Sequence, residues 1–464
     1  MSIAQPLAFL SGAARTRSFA FEVSAMVVGE GAGGAAARAA GAPQVAASGP
    51  ATAVIELGRP KASSPVLPEG GHAAREQLSS TLERVGAASG VAAATMLRGM
   101  RAARLRESFY EAAAPLRERM GQASGPRQDA APGTPSSITQ VCWLNATLRT
   151  VANLPALADV ASDSKVERIG LPRLLMPEAA RARDAAPSED LLNAARYRAR
   201  EHLTGEGIVV AVLDAEVAYK HKAFGGRVKL KENYTREGWG HPSPHGTAVA
   251  GVIAARAPSF AGVAPRATIY HYKVLATAGA NHADDFGGIQ ALQQALEDGA
   301  HIANCSWGLG RAEDGTSREA RGFDQAWNLG MAIVKSAGND GASGLTSPAD
   351  AAGAIVVGAT EKSGKKMYRE SSRGPAPNGR NPDCAAPGGS SDDLVVSTRI
   401  DGTIGQVDCG TSFAAAAVSG VLALLLEQDR DREPEQLRTA LSRLCRKMRG
   451  VSENLQGKGL VVLG

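Results

Sequence analysis

Three residues along the chain have the side-chain types of an activated serine nucleophile. Asp214 ends an apolar run, His245 is followed by Gly-Thr, and Ser412 is preceded by Gly-Thr. In such a site a carboxylate orients an imidazole, and the imidazole removes the proton of a hydroxyl that is a poor nucleophile alone. We therefore take Asp214, His245 and Ser412 as a candidate catalytic triad.

Each of these residues adjoins an element that would hold it in place. Asp214 follows the apolar, β-branched run 208–213, which is typical of a buried parallel strand. Ser412 opens the apolar stretch 413–426, which predicts a buried helix and places the hydroxyl near a helix N-terminus. His245 begins another apolar run with helical character.

Each residue also has a plainer interpretation. A serine at a helix start is often an N-cap, and an Asp at a strand end is often a turn residue. Among the eight histidines, His241 lies four residues before His245 in a Gly-His-Pro loop, and we expect it on the surface. Glu216 is a second carboxylate near Asp214 and an alternative to it.

The order and the flanking residues resemble a known family. The order Asp, His, Ser differs from the chymotrypsin and α/β-hydrolase orders and is that of the subtilisin arrangement. Residues 245–251 read H-G-T-x-x-A-G and residues 410–415 read G-T-S-x-A-A. With the Ala-Gly-Asn-x-Gly around Asn339, the chain looks like a subtilisin-like serine peptidase. We see no Asp/Glu cluster with calcium-loop spacing, so we expect no required metal, and we expect no cofactor.

The resemblance implies further roles. Asn339 would join the Ser412 backbone N–H in holding an oxyanion. An extended substrate peptide would be added as a strand between two edge segments, and residues 346–349 would form the rim of the pocket for the side chain before the scissile bond. The edge residues are Ser306, Trp307, Gly308, Ser336, Ala337 and Gly338. The Trp307 side chain would shape a subsite or belong to the core.

The sequence also departs from the family pattern. Ala215 and Glu216 replace the usual Ser/Thr-Gly after the Asp, and the helix after Ser412 lacks the usual Met and Pro-His. Cys409, three residues before Ser412, would make the enzyme sensitive to thiol reagents or be a small buried residue.

From Leu191 onward, apolar strand-like runs alternate with helix-like segments. This pattern predicts an α/β fold with a mostly parallel sheet and helices on both faces, which is the subtilisin-like architecture. The last predicted helix covers 435–448, with Gly450 as its C-cap. The runs predicted as strands are 208–213, 268–274, 302–306, 332–336 and 354–357, and further predicted helices cover 287–298 and 318–329.

The region before the catalytic domain divides into three parts. Residues 1–50 are rich in Ala and Gly and are predicted to be mobile. Residues 51–176 predict a helical segment over 72–122, broken or kinked at Pro115, and a small α/β module that resembles an inhibitory prodomain. Residues 177–190 form a polar connector before the catalytic domain 191–464, and self-cleavage is expected between about Leu171 and Glu189.

Composition limits the partners. The 464 residues carry a net charge of +5, with Arg spread along the chain, so we expect neither nucleic-acid nor membrane binding. The five cysteines have neither disulfide-framework nor zinc spacing. We recognise no signal peptide or membrane span, which favours a cytoplasmic location over export.

The leading interpretation is a serine endopeptidase made as a self-processing zymogen, acting on peptide or protein substrates. One alternative is a non-catalytic peptide-binding protein on the same scaffold, which the altered turn at Ala215 and Glu216 would favour. Another is an acyl-transferring peptide ligase or cyclase, which would use the same residues.

Overall fold

The structure is a computed structural model that describes residues 10–11, 51–57, 89–120, 136–152, 157, 160–163, 166–177, 191–277 and 281–464. Most of the segment 1–50 that was predicted to be mobile therefore lies outside the described residues, as does the connector from 178 to 190.

The helices are α1 (Ser89–Met120), α2 (Ala194–Glu201), α3 (Pro244–Ala254), α4 (Asp285–Glu297), α5 (Arg318–Asn328), α6 (Thr411–Gln428), α7 (Pro434–Arg443) and α8 (Glu453–Gln456). The strands up to the main sheet are β1 (Leu10–Ser11), β2 (Ala51–Leu57), β3 (Ser136–Cys142), β4 (Thr147–Ala152), β5 (Val166–Gly170) and β6 (Met176–Pro177). The remaining strands are β7 (Val209–Ala215), β8 (Val228–Asn233), β9 (Arg256–Ala257), β10 (Phe260–Ala261), β11 (Thr268–Leu275), β12 (Ile302–Cys305), β13 (Trp307–Gly308), β14 (Ala332–Ser336), β15 (Ile355–Thr360), β16 (Cys384–Pro387), β17 (Val396–Thr398), β18 (Ile404–Gln406), β19 (Cys445–Arg446) and β20 (Leu460–Val461).

The described residues fall into two compact units. One contains a five-stranded sheet in the order β1-β5-β2-β4-β3, in which β2 pairs antiparallel with both β4 and β5. Its strands bury apolar side chains such as Ile55 and Leu148.

Helix α1 continues through Pro115, so the break is wrong, whereas the kink predicted as its alternative stays a prediction. Pro115 is exposed. Water can therefore solvate the carbonyl that a proline leaves without its usual helical donor.

The second unit is built on a nine-stranded sheet in the order β19-β20-β16-β15-β14-β12-β7-β11-β8. Neighbouring strands of this sheet are parallel except β19 and β20, which are antiparallel. The strands that follow β7 in sequence are first added on one side of it, β11 and β8, and then on the other, from β12 onward. In open parallel sheets ligands bind beyond the carboxyl ends of the strands at such a switch point. The predicted α/β class is confirmed, and the sheet brings the ends of β7, β12 and β14 to one edge.

Helix α6 is the centre of this unit. It is long and apolar enough to cross a membrane, but 89% of it is buried inside the protein, which is typical of a core helix. Its packing fixes the N-terminal residues Thr411 and Ser412, both fully buried.

The C-terminal end of the helix predicted over 435–448 is wrong. Helix α7 ends at Arg443 with Leu444 as its C-cap, and Gly450 lies beyond it. The reason is that Cys445 and Arg446 leave the helix to pair with β20 at the edge of the sheet.

Candidate active site

Asp214 lies fully buried near the carboxyl end of the interior strand β7. Its Oδ1 accepts hydrogen bonds from the Ala215 N–H at 2.6 Å and from the His245 Nδ1–H at 2.7 Å. A carboxylate can only accept from the ring when Nδ1 carries the proton, so this contact selects the tautomer whose Nε2 is unprotonated and can act as a base.

His245 is held in the first turn of α3. Pro244 opens the helix, and the N-cap Ser243 accepts from the His245 N–H at 3.3 Å. Gly246 lets the helix approach the turn after Asp214, because a Cβ there would lie 1.9 Å from the Ala215 carbonyl oxygen. The glycine of the His-Gly-Thr segment is therefore a steric requirement of the contact between His245 and Asp214.

Ser412 stands in the first turn of α6, after a glycine in a conformation that side chains rarely adopt (Gly410, φ 134°). The Gly410 N–H donates to the Gly388 carbonyl at 2.8 Å, which fixes the turn before the helix. The ring of Phe413, the next residue, lies 5.8 Å from the His245 ring. Asp214 and His245 are thus in direct contact, and the residue next to Ser412 packs against His245.

Asn339 follows β14 and reaches the same helix start. Its Oδ1 accepts from both the backbone N–H and the hydroxyl of Thr411, each at 3.0 Å. Its Nδ2 is buried and has no acceptor among the described residues. An amide held by its oxygen, with its N–H₂ group aimed beside Gly410, has the arrangement of an oxyanion donor.

A segment of the chain itself occupies a groove beside this site. Met176 and Pro177 pair antiparallel with β13, so that Pro177 lies opposite Trp307 and Met176 opposite Gly308. On its other side, the Leu175 N–H donates to the Ala283 carbonyl at 2.9 Å. Residues 173–177 therefore form the central strand between two edges.

Of the two segments predicted to flank a bound peptide, one, Trp307–Gly308, lies at this groove. A segment that was not predicted flanks the other side of the groove. Trp307 and Gly308 pair with the chain's own strand, whereas the opposite edge is 283–285, which sequence reasoning missed. The signal there was weak, because a short Ala-Asp-Asp run before a helix is typical of an ordinary N-cap.

The predicted residues Ser336, Ala337 and Gly338 lie at the end of β14. The Ala337 N–H donates to the Val357 carbonyl at 3.0 Å, and the Gly338 carbonyl accepts from the Ser372 N–H at 2.8 Å. Ser306 is fully buried, and its Oγ donates to the Ser412 carbonyl at 3.3 Å. A substrate-binding role for these four residues stays a prediction.

A model of the subtilase family matches residues 205–459, which is more than half of the chain. The chain belongs to the subtilase family. It is 34% identical to subtilisin BL of Lederbergia lenta over 269 residues, covering 56% of this chain and 90% of that protein. Subtilisin Savinase of the same organism is 33% identical with the same coverage, and the alkaline protease of Alkalihalobacillus alcalophilus is 33% identical over 56% of this chain and 64% of its own.

A crystal structure of a cold adapted subtilisin-like serine proteinase is similar to 62% of this chain and 96% of its own, with 24% identity and a TM-score of 0.48. The family match and the subtilisin relatives, independently of this structure, show a serine endopeptidase of the subtilase family, as the Asp-His-Ser order predicted.

In this subtilase the unusual Glu216 makes its own contacts. Its Oε2 accepts from Lys273 Nζ at 3.0 Å and from the His241 N–H at 3.1 Å, and its Oε1 accepts from the Gly240 N–H at 2.9 Å. Burial alone would raise the pKa of Glu216, but the hydrogen bonds from Lys273 and these two N–H groups keep it below the ordinary value. His241 is exposed, as expected.

Glu216 also links the turn to the histidine helix. Its backbone carbonyl accepts from the Ser243 N–H at 2.7 Å, and Ser243 is the N-cap of α3. A buried ion pair thus fixes the loop that leads to His245.

The remaining predicted neighbours of the site lie in the core. Trp307 is fully buried and its ring meets that of Phe323 edge-on at 5.9 Å. Burial raises the pKa of Cys409 to about 11, so this residue is a neutral thiol packed in the core at neutral pH.

Proposed function

We propose that this subtilase hydrolyses peptide bonds through an acyl-enzyme on Ser412. His245 Nε2 takes the proton from Ser412 Oγ as this oxygen attacks the peptide carbonyl, and Asp214 stabilises the imidazolium that forms. Asn339 Nδ2 and the Ser412 N–H hold the oxyanion. His245 then gives its proton to the leaving amine, and water releases the acyl group by the same steps in reverse.

The observations that carry this proposal are the hydrogen bond of Asp214 to His245 and those of Asn339 to the start of the Ser412 helix. Asp214 holds the His245 ring at 2.7 Å in the required tautomer, and Asn339 is clamped to the residue before Ser412. A binding protein without catalysis would have no use for a buried amide donor next to a buried serine.

We further infer that the chain is made as a zymogen whose segment 173–177 occupies the substrate groove until it is cut. This segment is paired as a strand against Trp307 and Gly308, which is how an extended peptide substrate would bind. The N-terminal region would inhibit the enzyme by keeping this segment in the groove.

The register indicates where the cut falls. Pro177 lies opposite Trp307, so the residue that follows it in a bound peptide would come opposite Ser306, whose Oγ contacts Ser412. That residue in this chain is Glu178. We therefore narrow the expected cleavage from the window 171–189 to the bond after Glu178.

The position of Lys335 favours cleavage of the peptide bond after Glu178. Its fully buried Nζ lies 2.5 Å from the Ser336 carbonyl oxygen and 3.4 Å from Thr346 Oγ1, on the pocket rim predicted over 346–349. An ammonium at this place suits an acidic side chain before the scissile bond, and Glu178 supplies one.

Intact mass of the purified chain over hours at neutral pH tests the proposal. Wild type should yield a fragment beginning at Ala179, whereas Ser412→Ala should stay whole because the nucleophile is gone. Ser419→Ala is the matched control, because Ser419 is a buried serine of the same helix that bonds Asn304 and should not affect cleavage.

If wild type stays whole and Ser412 also fails to react with a fluorophosphonate, the catalytic proposal is wrong and the binding-protein alternative replaces it. If wild type is cut elsewhere, only the register argument is wrong.

A further inference from the structure

The arginine at the start of the groove segment enters a pocket of three carboxyl groups. Arg173 Nη2 donates to Glu319 Oε2 at 2.7 Å and Nη1 to Glu313 Oε1 at 3.1 Å, while Nε lies 3.6 Å from Asp285 Oδ2. Glu319 and Asp285 have no exposed side-chain area, and Glu313 lies at the rim. We call Asp285, Glu313 and Glu319 the acidic pocket.

The backbone also fixes Arg173 at this pocket. The Asp285 N–H donates to the Arg173 carbonyl at 2.7 Å, and Asp285 Oδ1 accepts from the Arg173 N–H at 3.2 Å. Main chain and side chain are therefore recognised together, which is how a strand-adding site combines affinity with selectivity.

Two residues further on, Leu175 provides a second anchor. It is fully buried, and a Cβ on Gly288 would lie 3.1 Å from its Cδ1, so Gly288 leaves the space that this side chain fills. Leu174 and Met176 between and after the anchors are exposed. Alternation along an extended strand thus directs Arg173 and Leu175 to the protein and fixes their spacing.

Among the described residues, three carboxyl groups and the Arg318 guanidinium line the pocket once Arg173 leaves. Arg318 is the cation of its wall, bonded to Asp285 and within 3.3 Å of Glu319. Burial raises the pKa of Asp285 to about 8. Burial would likewise raise the pKa of Glu319, but while Arg173 is bound the hydrogen bond with Asp285 and the charges of Arg173 and Arg318 lower it to about 2.

With Asp285 protonated, Glu319 and Glu313 still outnumber Arg318. A buried carboxylate that loses a partner is costly, so the emptied pocket favours another cation.

We propose that the acidic pocket is an extended specificity subsite for an arginine in the substrate, two residues before the side chain that fills the Leu175 position. The inference rests on the proposed function, because it takes the groove segment as a template of the substrate. It assigns Glu319 and Asp285 a role in selecting substrates, separate from the residues that perform the reaction.

The test uses self-processed wild-type enzyme and quenched fluorescent peptides with the sequence of residues 171–181. The peptide carrying Arg173→Gln should lose at least about 10-fold in kcat/KM, mainly through KM, because a buried charge pair is lost on binding. The matched control peptide carries Leu174→Gln at an exposed position and should stay within about threefold of the parent.

Enzyme variants then locate the effect. In Glu319→Gln the preference for the arginine peptide over the glutamine peptide should fall below about threefold, and in Glu313→Gln, at the rim, it should fall partly. The preference is a ratio within one enzyme, so a reduced folded fraction cancels. If Glu319→Gln does not fold, the proposal is tested by the two peptides with wild type and by the preference of Glu313→Gln.

Three results would overturn the proposal. If wild type cleaves the arginine and glutamine peptides equally, the subsite proposal is wrong and the proposed function is unaffected. The same holds if Ser412 of wild type reacts with a fluorophosphonate but neither peptide is cleaved. Wild type that neither cleaves nor reacts contradicts the proposed function itself, and the subsite falls with it.

Discussion

The turn before Ser412 and the turn after Asp214 each hold one end of the proposed triad, and they use different chemistry. The first is neutral: Gly410 adopts φ 134° and donates to Gly388, and Thr411 binds the amide of Asn339. The second is charged: Glu216 replaces a small residue and pairs with the fully buried Lys273.

The difference teaches that the same placement of a side chain can rest on shape or on charge. A turn fixed by glycine and backbone hydrogen bonds tolerates changes in pH but has no room for added atoms. A turn fixed by buried charges tolerates the loss of the family's glycine but fails when the charges no longer balance. The two turns should therefore break in different ways.

The largest effect is expected at Lys273. This ammonium lies 3.0 Å from a Glu216 oxygen and 2.8 Å from a Glu237 oxygen. Lys273→Met therefore leaves both carboxylates without their shared cation. We expect the free energy of unfolding to fall by about 3–5 kcal/mol, measured by urea denaturation in the Ser412→Ala background so that self-cleavage does not interfere.

Lys362→Met is the control for that measurement. Lys362 pairs at 2.7 Å with Asp393, whose side chain is 41% exposed, so its loss should cost no more than about 1 kcal/mol. Equal effects of the two substitutions would show that the Asp214 turn does not depend on its charges.

The neutral turn is tested at Asn339. Asn339→Leu keeps the volume but removes the Nδ2 donor, and we expect kcat to fall by about 10²–10³-fold with little change in KM. Thr411→Val removes a hydroxyl that donates to Asn339 Oδ1 and accepts from the Gly338 N–H but keeps the Nδ2 donor, so it should lower kcat by a smaller factor, about 10-fold or less. A normal kcat in Asn339→Leu would exclude the oxyanion role.

Much of the unit that contains the nine-stranded sheet could be predicted from sequence, because its strands are buried on both faces. Apolar runs predicted β7, β12 and β14 to within two residues, and the helix after Ser412 to within two residues at each end. Buried parallel strands read as continuous apolar runs, and the catalytic motifs lie where those runs end.

The rest depended on contacts between distant residues. Nothing local in the sequence marks Lys273 as the partner of Glu216, 57 positions earlier. The edge at 283–285 and the early end of α7 were missed for the same reason, since each depends on pairing with a segment far away in the chain. The acidic pocket likewise forms only where Arg173 meets residues more than a hundred positions later.

The smallest expected effect sharpens the comparison through pH. His271 lies on β11 beneath the Asp214 turn, fully buried, and its Nδ1–H donates to the Val212 carbonyl at 3.1 Å. Burial lowers the pKa of His271 to about 4, although the nearby charges of Asp214 and Glu216 oppose this shift and that of Lys273 adds to it. The Trp239 ring covers it from the side, 6.0 Å away.

A histidine whose pKa is lower in the folded than in the unfolded state binds its proton preferentially in the unfolded state. Stability is therefore unaffected above the unfolded pKa of about 6.5 and falls as the pH drops from there toward 4. Between about pH 7.5 and about pH 5, His271 should cost about 2 kcal/mol of unfolding free energy. In His271→Asn this part of the pH dependence should vanish, whereas His202→Asn, at an exposed histidine, should keep it. An unchanged slope in His271→Asn would mean that the charged turn contains no titrating group in this range, and its sensitivity would then lie in the Lys273 pair alone.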